Sequence, residues 1–246
     1  MSPLVEVGWP LALALVLLVA MAVALAGYGR LGLHSDVLVA SVRAALQLGA
    51  IALVLAAVVR SLWLSLLFVV FMTVVASGTA ARRLVRSRCG WWSALPVAAS
   101  SLPVVALLVG LQVVPARGVA VVPVAGILIG GAMTGTVLAG RRGLDELVLR
   151  RGEVEAAMAL GFVDREAGLM VSRPAAAEAM LPGLDATRTV GLVALPGTFV
   201  GTLLGGASPV QAGAVQLLVL VALLAVQACA VVLTIELLAR GVLRRP

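Results

Sequence analysis

The sequence contains no lysine: all 18 basic residues are arginine. A Walker A loop holds nucleotide phosphates with a lysine, so this chain does not hydrolyse ATP by that mechanism. Histidine is nearly absent too. The sole one, His34, has no cysteine or acid cluster beside it. A metal centre needs several convergent ligands, so His34 reads as an ordinary loop residue. Two cysteines, Cys89 and Cys229, lie far apart, one in an Arg-rich loop and one in an apolar run. Free thiols are expected. Charged residues make up only 12% of the chain, and they form no catalytic constellation. The chain is therefore expected to be a non-enzyme that binds no cofactor of its own.

What fills the sequence is hydrocarbon. Of 246 residues, 62% are hydrophobic, and the mean hydropathy is +1.17. Apolar runs of about 18 or more residues read as membrane helices, because a core of about 30 Å takes about 20 residues. Seven such spans are predicted, over residues 9–27, 37–59, 62–81, 91–114, 119–139, 190–206 and 210–237. The runs are continuous rather than alternating, which excludes a closed barrel. No positive residue precedes the first run, so a retained helix is expected instead of a cleaved signal. The fold class is an all-α polytopic membrane protein, with residues 1–246 forming a single domain in the bilayer.

Arginine placement orients it. With the N-terminus outside, the inside loops hold Arg30, Arg82, Arg83, Arg86, Arg88 and the seven arginines of segment 141–188. The C-terminal tail adds Arg240, Arg244 and Arg245. Only Arg60 and Arg117 remain outside, with Arg43 inside a span. The positive-inside rule then gives N-out and C-in, as in a bacterial inner membrane. The net charge of +7 is thereby a matter of topology, not of nucleic-acid binding.

Segment 141–188, between spans 5 and 6, carries 15 of the 29 charged residues. It is predicted to be cytoplasmic and built of short helices. Glu146 and Arg150 stand in a favourable i, i+4 order. Asp164 is a plausible N-cap for a helix running to Val171, and Pro174 and Pro182-Gly183 are expected to break the chain beyond it. Within the segment, Glu155-Ala156-Ala157 is followed after three residues by Gly161, and nine residues later by Val171-Ser172-Arg173-Pro174. That spacing resembles the coupling motif of bacterial ABC importers, with Val171 for Ile and Arg173 for Leu. A short helix with a glycine turn can sit in a groove of a separate ATPase. The alternative is an Ala-rich amphipathic helix lying on the bilayer.

Other stretches extend the likeness. Arg43-Ala44-Ala45-Leu46-Gln47-Leu48, Thr189-Val190-Gly191-Leu192-Val193-Ala194-Leu195-Pro196-Gly197, and Leu204-Gly205-Gly206-Ala207-Ser208-Pro209 with Gln216 resemble, together with 155–161, the FetB-type (UPF0014) ABC transporter permease family. The resemblance runs from Arg43 to about Gln227. It implies a permease, paired as a homodimer with a cytoplasmic ABC ATPase that holds ATP and Mg. That ATPase would be coupled through Glu155, Ala156, Ala157, Gly161 and Asp164. Members are implicated in bacterial iron export, and plant relatives are linked to aluminium tolerance, so export of a metal ion or another small solute is implied. The family's Met-Met-Thr-Gly-Gln is here Thr198-Phe199-Val200-Gly201-Thr202, and its Gly-Asn-x-Met-Asn is Gly130-Gly131-Ala132-Met133-Thr134. Only Met133 keeps a metal-affine side chain, so the residues do not name the substrate.

Candidate pathway residues are Arg43, Gln47, Met133, Thr136, Thr202 and Gln216. Arg43 and Gln47 are one helical turn apart in span 2, where a charge is a functional-site candidate unless it snorkels to the interface. Glu236 and Arg240 are expected to pair at i, i+4. The pattern Gly131-x-x-x-Gly135-Thr136 recurs as Gly197-x-x-x-Gly201-Thr202. Small residues four apart let membrane helices approach closely. Independent packing seams and a relic of an inverted repeat both fit. A stand-alone carrier or channel, and a membrane scaffold for a cytoplasmic partner, remain alternatives to the permease.

Overall fold

A computed structural model describes residues 8–85 and 87–244. Arg86 and Arg245, both used in the charge count, lie outside the described residues. The chain divides into two compact units, Met1–Val58 and Val59–Pro246. Helix is the dominant structure, and among the described residues the only β pairing is an isolated bridge, Val190 to Ala194.

The first unit is a hairpin of α1 (Trp9–Tyr28) and α2 (His34–Val58). Pro10 occupies the first turn of α1, where its missing N–H costs nothing. The turn between the helices uses Arg30 and Gly32 at positive φ. His34, expected in a loop, is the first residue of α2. Side chains of the hairpin are exposed almost throughout. In water that would be untenable, whereas against lipid tails it is the stable arrangement.

The second unit contains α3 (Leu62–Leu84), a 3₁₀ turn (Arg88–Ser93), α4 (Ala94–Gly110), α5 (Gly118–Leu149), α6 (Arg151–Ala159), α7 (Asp164–Ala177), a second 3₁₀ turn (Glu178–Met180), α8 (Leu181–Thr189), α9 (Gly197–Leu204) and α10 (Pro209–Ala239). The central element is α5. It packs on α3, α4, α7 and α10. Val97, Ala125, Leu128, Ala132, Val226 and Ala230 form the heart of the core. Lipid is as apolar as leucine, so close packing between small residues holds such helices together. Glycines of α5 supply it: a Cβ at Gly140 would press on Leu84, and one at Gly143 would lie 2.6 Å from Leu238 Cδ1. The first turn of α10 is closed by a capping box between Ser208 and Gln211.

Two expectations change. Six helices among the described residues, not seven, are long and apolar enough to cross a membrane. The exception is 190–206, where the backbone leaves the helix at Val190 and re-enters it only at Gly197, giving the eight-residue α9. Pro196 and the positive φ of Gly191 account for the interruption. Second, the fifth predicted span does not stop at Ala139. Helix α5 runs 32 residues to Leu149 and carries Arg141 and Arg142 on its final turns.

Candidate functional site

The charged segment folds into a helix–turn–helix on the ends of α5 and α10. Helix α6 ends in a Schellman motif. Gly161 N–H donates to the Met158 carbonyl at 3.0 Å, and Phe162 N–H to the Ala157 carbonyl at 3.2 Å. Gly161 has φ +96°, a conformation that costs glycine nothing and a side-chain-bearing residue a good deal. Beyond the turn, Asp164 opens α7. It is the first helical residue and not the N-cap, a position held by Val163. Asp164 and Glu166 sit in the first turn, where the helix dipole favours carboxylates. The helix also runs past Val171 to Ala177, with Pro174 inside it. Proline removes one backbone bond, which the packed inner face of α7 outweighs.

That inner face is Ala167, Gly168, Leu169, Val171, Ser172 and Ala176, all buried. A Cβ at Gly168 would come 3.3 Å from Ala239 Cα, so α7 and α10 touch backbone to backbone. One edge of the contact is ionic. Arg165 donates through Nε to Glu236 Oε1 at 2.6 Å and through Nη2 to Glu236 Oε2 at 2.8 Å. Arg240 Nε donates to Glu236 Oε1 at 2.6 Å, the expected i, i+4 pair. The fork from Arg165 is the stronger geometry and was not legible, because 71 residues separate the partners. The carboxylate of Glu236 raises the Arg165 guanidinium above its ordinary value.

The outer face is apolar. Leu160 is 81% exposed, Val163 61%, Phe162 48% and Met158 37%. These four flank Gly161 and form a hydrophobic knob at the tip of a charged segment. Of the proposed coupling residues, Gly161, Ala156 and Asp164 share this exposed surface, while Ala157 is buried beneath it. Glu155 lies mid-helix in α6 and accepts from Arg151 Nε at 2.8 Å. Glu153 holds the first-turn position. Its hydrogen bond with Arg150 keeps the Glu153 carboxyl below the usual range. Being depressed in the folded state, that group contributes above the ordinary glutamate pKa and loses its contribution only as pH falls through the lower folded value.

The pathway candidates separate. Arg43 and Gln47 lie on one exposed face of α2, in the first unit. Met133 and Thr136 are on α5; Thr136 is fully buried, and its hydroxyl has no hydrogen-bond partner among the described residues. Thr202 and Gln216 come together through Thr198. The Thr202 hydroxyl donates to the Thr198 carbonyl at 2.6 Å, and the Thr198 hydroxyl donates to Gln216 Oε1. Beside them a pocket of about 300 Å³ opens between the interrupted stretch and α10, lined by Val190, Pro196, Phe199 and Gln216 among others. Sequence reading missed Thr198 and also Gln227, whose buried Oε1 has no partner among the described residues.

The twin glycine patterns occupy opposite environments. A Cβ at Gly131 would overlap Leu223 Cδ1, and one at Gly135 would meet the Gln227 backbone at 3.5 Å, so these two seat α5 on α10. At Gly197 and Gly201 nothing lies within 4 Å. Gly131→Leu is therefore expected to destabilise the chain by about 1–3 kcal/mol through overpacking, read as a lower melting temperature in detergent. Gly201→Leu should leave it unchanged. A matched loss in Gly201→Leu would mean that another surface closes on α9.

These features define a multi-pass helical membrane protein with a packed charged segment on its α5 and α10 ends. The sequence profile of the Uncharacterised protein family (UPF0014) matches residues 9–243, and the chain belongs to that family of membrane proteins. It is 39% identical to "UPF0014 membrane protein STAR2" of Oryza sativa subsp. japonica over 206 residues, 82% of this chain and 72% of the relative. It is 35% identical to "Protein ALUMINUM SENSITIVE 3" of Arabidopsis thaliana over 84% of this chain and 77% of that one. Similarity to the "Probable iron export permease protein FetB" of Escherichia coli (strain K12) is 30% over 215 residues, 85% and 82% of the two chains. No solved structure matches the chain.

Proposed function

We propose that this chain is the membrane-spanning subunit of an ABC transporter. Two copies form the pore unit, and a separate cytoplasmic ATPase supplies ATP and Mg. The observation that carries the reading is the α6–Gly161–α7 knob. It is apolar and exposed at its tip, and it is fastened at its base to α5 and α10. An exposed apolar patch on an otherwise charged segment marks a protein contact. A clamped base turns movement of that contact into movement of the two long helices. Export of a metal ion or another small solute across the inner membrane is the activity in view, iron being what the name of the Escherichia coli relative prints.

The direct test is co-expression with a candidate ABC ATPase from the same genome. The tagged chain should retain that ATPase through purification and raise its hydrolysis rate in liposomes. If the pair does not associate, the docking assignment fails, and a stand-alone carrier or a scaffold takes its place.

Orientation is tested separately. In a Cys229→Ser background, Cys89, half-buried at the start of the first 3₁₀ turn, is expected to react in intact cells with a permeant thiol reagent and not with an impermeant one. Labelling by the impermeant reagent would reverse the topology and put the knob outside.

A further inference from the structure

Residues 178–206 form a discontinuous segment along α10, of which hydropathy reads only 190–206 as a span. They climb along α10 in order. Ala179 packs with Val231 and Ile235. Gly183 abuts Gln227 and Leu224. Val190, Pro196 and Phe199 share a pocket with Gln216, Leu217 and Leu220. Asp185 and Arg188, counted from sequence as cytoplasmic charges, therefore lie level with Leu220–Gln227. At about 1.5 Å per residue, that level is about 18–28 Å from the Ala239 end of α10. It is near the middle of a 31-residue helix that carries no charge between Pro209 and Ile235.

The two charges do not point into the fold. Their side chains are 67% and 70% exposed, and they face each other loosely, Arg188 Nη1 to Asp185 Oδ1 at 3.6 Å. A charged pair turned toward lipid tails at this depth is costly, and intramembrane charges face cavities or partners. Immediately after it, the backbone is irregular from Val190 to Pro196. Non-helical backbone at membrane depth is tolerated where it is buried in protein or lines water. Leu192 and Val193 are 90% and 82% exposed, so this stretch is not buried within the chain. Broken helices near the bilayer midplane are also where transport proteins hold solutes.

We infer that α8 and the irregular stretch 190–196 form one wall of a water-filled route through the membrane. Asp185 and Arg188 are its charged lining, and the route takes small hydrophilic solutes with their water shell. The inference rests on the transport reading but not on ATP coupling. Its test uses no ATPase, so a failure of ATPase binding leaves the result readable.

The experiment is spin labelling of the full chain in liposomes, in a Cys89→Ser, Cys229→Ser background. Labels go at Ala186→Cys and Leu192→Cys on the proposed wall. A third goes at Val221→Cys, exposed on α10 at the same level, and a fourth at Leu160→Cys on the knob. The probes are a neutral water-soluble nickel chelate and molecular oxygen. Positions 186 and 192 are expected to relax with the nickel chelate nearly as position 160 does, and several-fold more than position 221, which should respond to oxygen alone. Protection of 186 and 192 to the level of 221 would overturn the route, because lipid or protein would then cover that face. Nickel access at 221 equal to that at 186 would overturn it as well, because that level would then lie outside the bilayer.

Discussion

Gly161→Val is expected to weaken the proposed ATPase contact about tenfold while leaving the chain folded and abundant. No atom lies within 4 Å of a Cβ built at Gly161, so the substitution causes no collision. Its cost is purely conformational: valine at φ +96° carries about 1–3 kcal/mol of strain, which the turn escapes by changing shape. Leu160, Phe162 and Val163 then splay from their native arrangement. A loss of about 1.4 kcal/mol at the contact weakens binding about tenfold. Titration of the purified ATPase against the variant in nanodiscs measures it, with the melting temperature as the fold control. Gly161→Ala, which is not β-branched, should fall between. Glu155→Ala should change little, since that carboxylate already serves Arg151 in an exposed pair. Native affinity in Gly161→Val would remove the knob from the docking surface.

The second large effect falls at Gly90. A Cβ there would overlap the Val85 carbonyl oxygen and lie 2.9 Å from the Ala81 carbonyl oxygen. Both obstacles are backbone, at the end of α3, and neither can rotate away as a side chain would. Gly90→Ala is therefore expected to lose about 2–3 kcal/mol, the upper part of the range for overpacking. It should show as a lower melting temperature and loosened protection of residues 81–85 in hydrogen exchange. Gly78→Ala is the matched control. Its nearest neighbour would be Trp91 at 3.8 Å, an ordinary contact, and alanine is the better helix former. That variant should be neutral or slightly stabilised. Equal losses at both positions would show that the close approach at Gly90 is not the cause.

The long helices were readable because apolar runs of this length have few other homes, and five of the seven predicted spans needed only small shifts at their ends. Gly161 was readable too, since glycine closing an Ala-rich run signals a left-handed turn. What hydropathy could not see was α8. Asp185 and Arg188 lower the local average enough to place their helix in solvent, although its contacts are with the middle of α10. Pattern identity also misled in one respect. Gly131 and Gly201 stand in the same motif, yet one is pressed against Leu223 and the other meets nothing. Spacing reports what a helix can approach, not what is there. The Arg165–Glu236 fork is invisible for a different reason: long-range ion pairs leave no periodicity.

The continuity of α5 has a mechanical consequence. Thirty-two residues at about 1.5 Å each make a rod of about 48 Å, some 18 Å longer than the hydrocarbon it crosses. Its only interior proline, Pro123, lies near the far end, so the helix runs without a proline break from the Gly131–Gly135 seat to Arg142. Such a rod transmits torque. A displacement applied where α7 grips its lower turns reaches the contact with Leu223 and Gln227 along one unbroken helix.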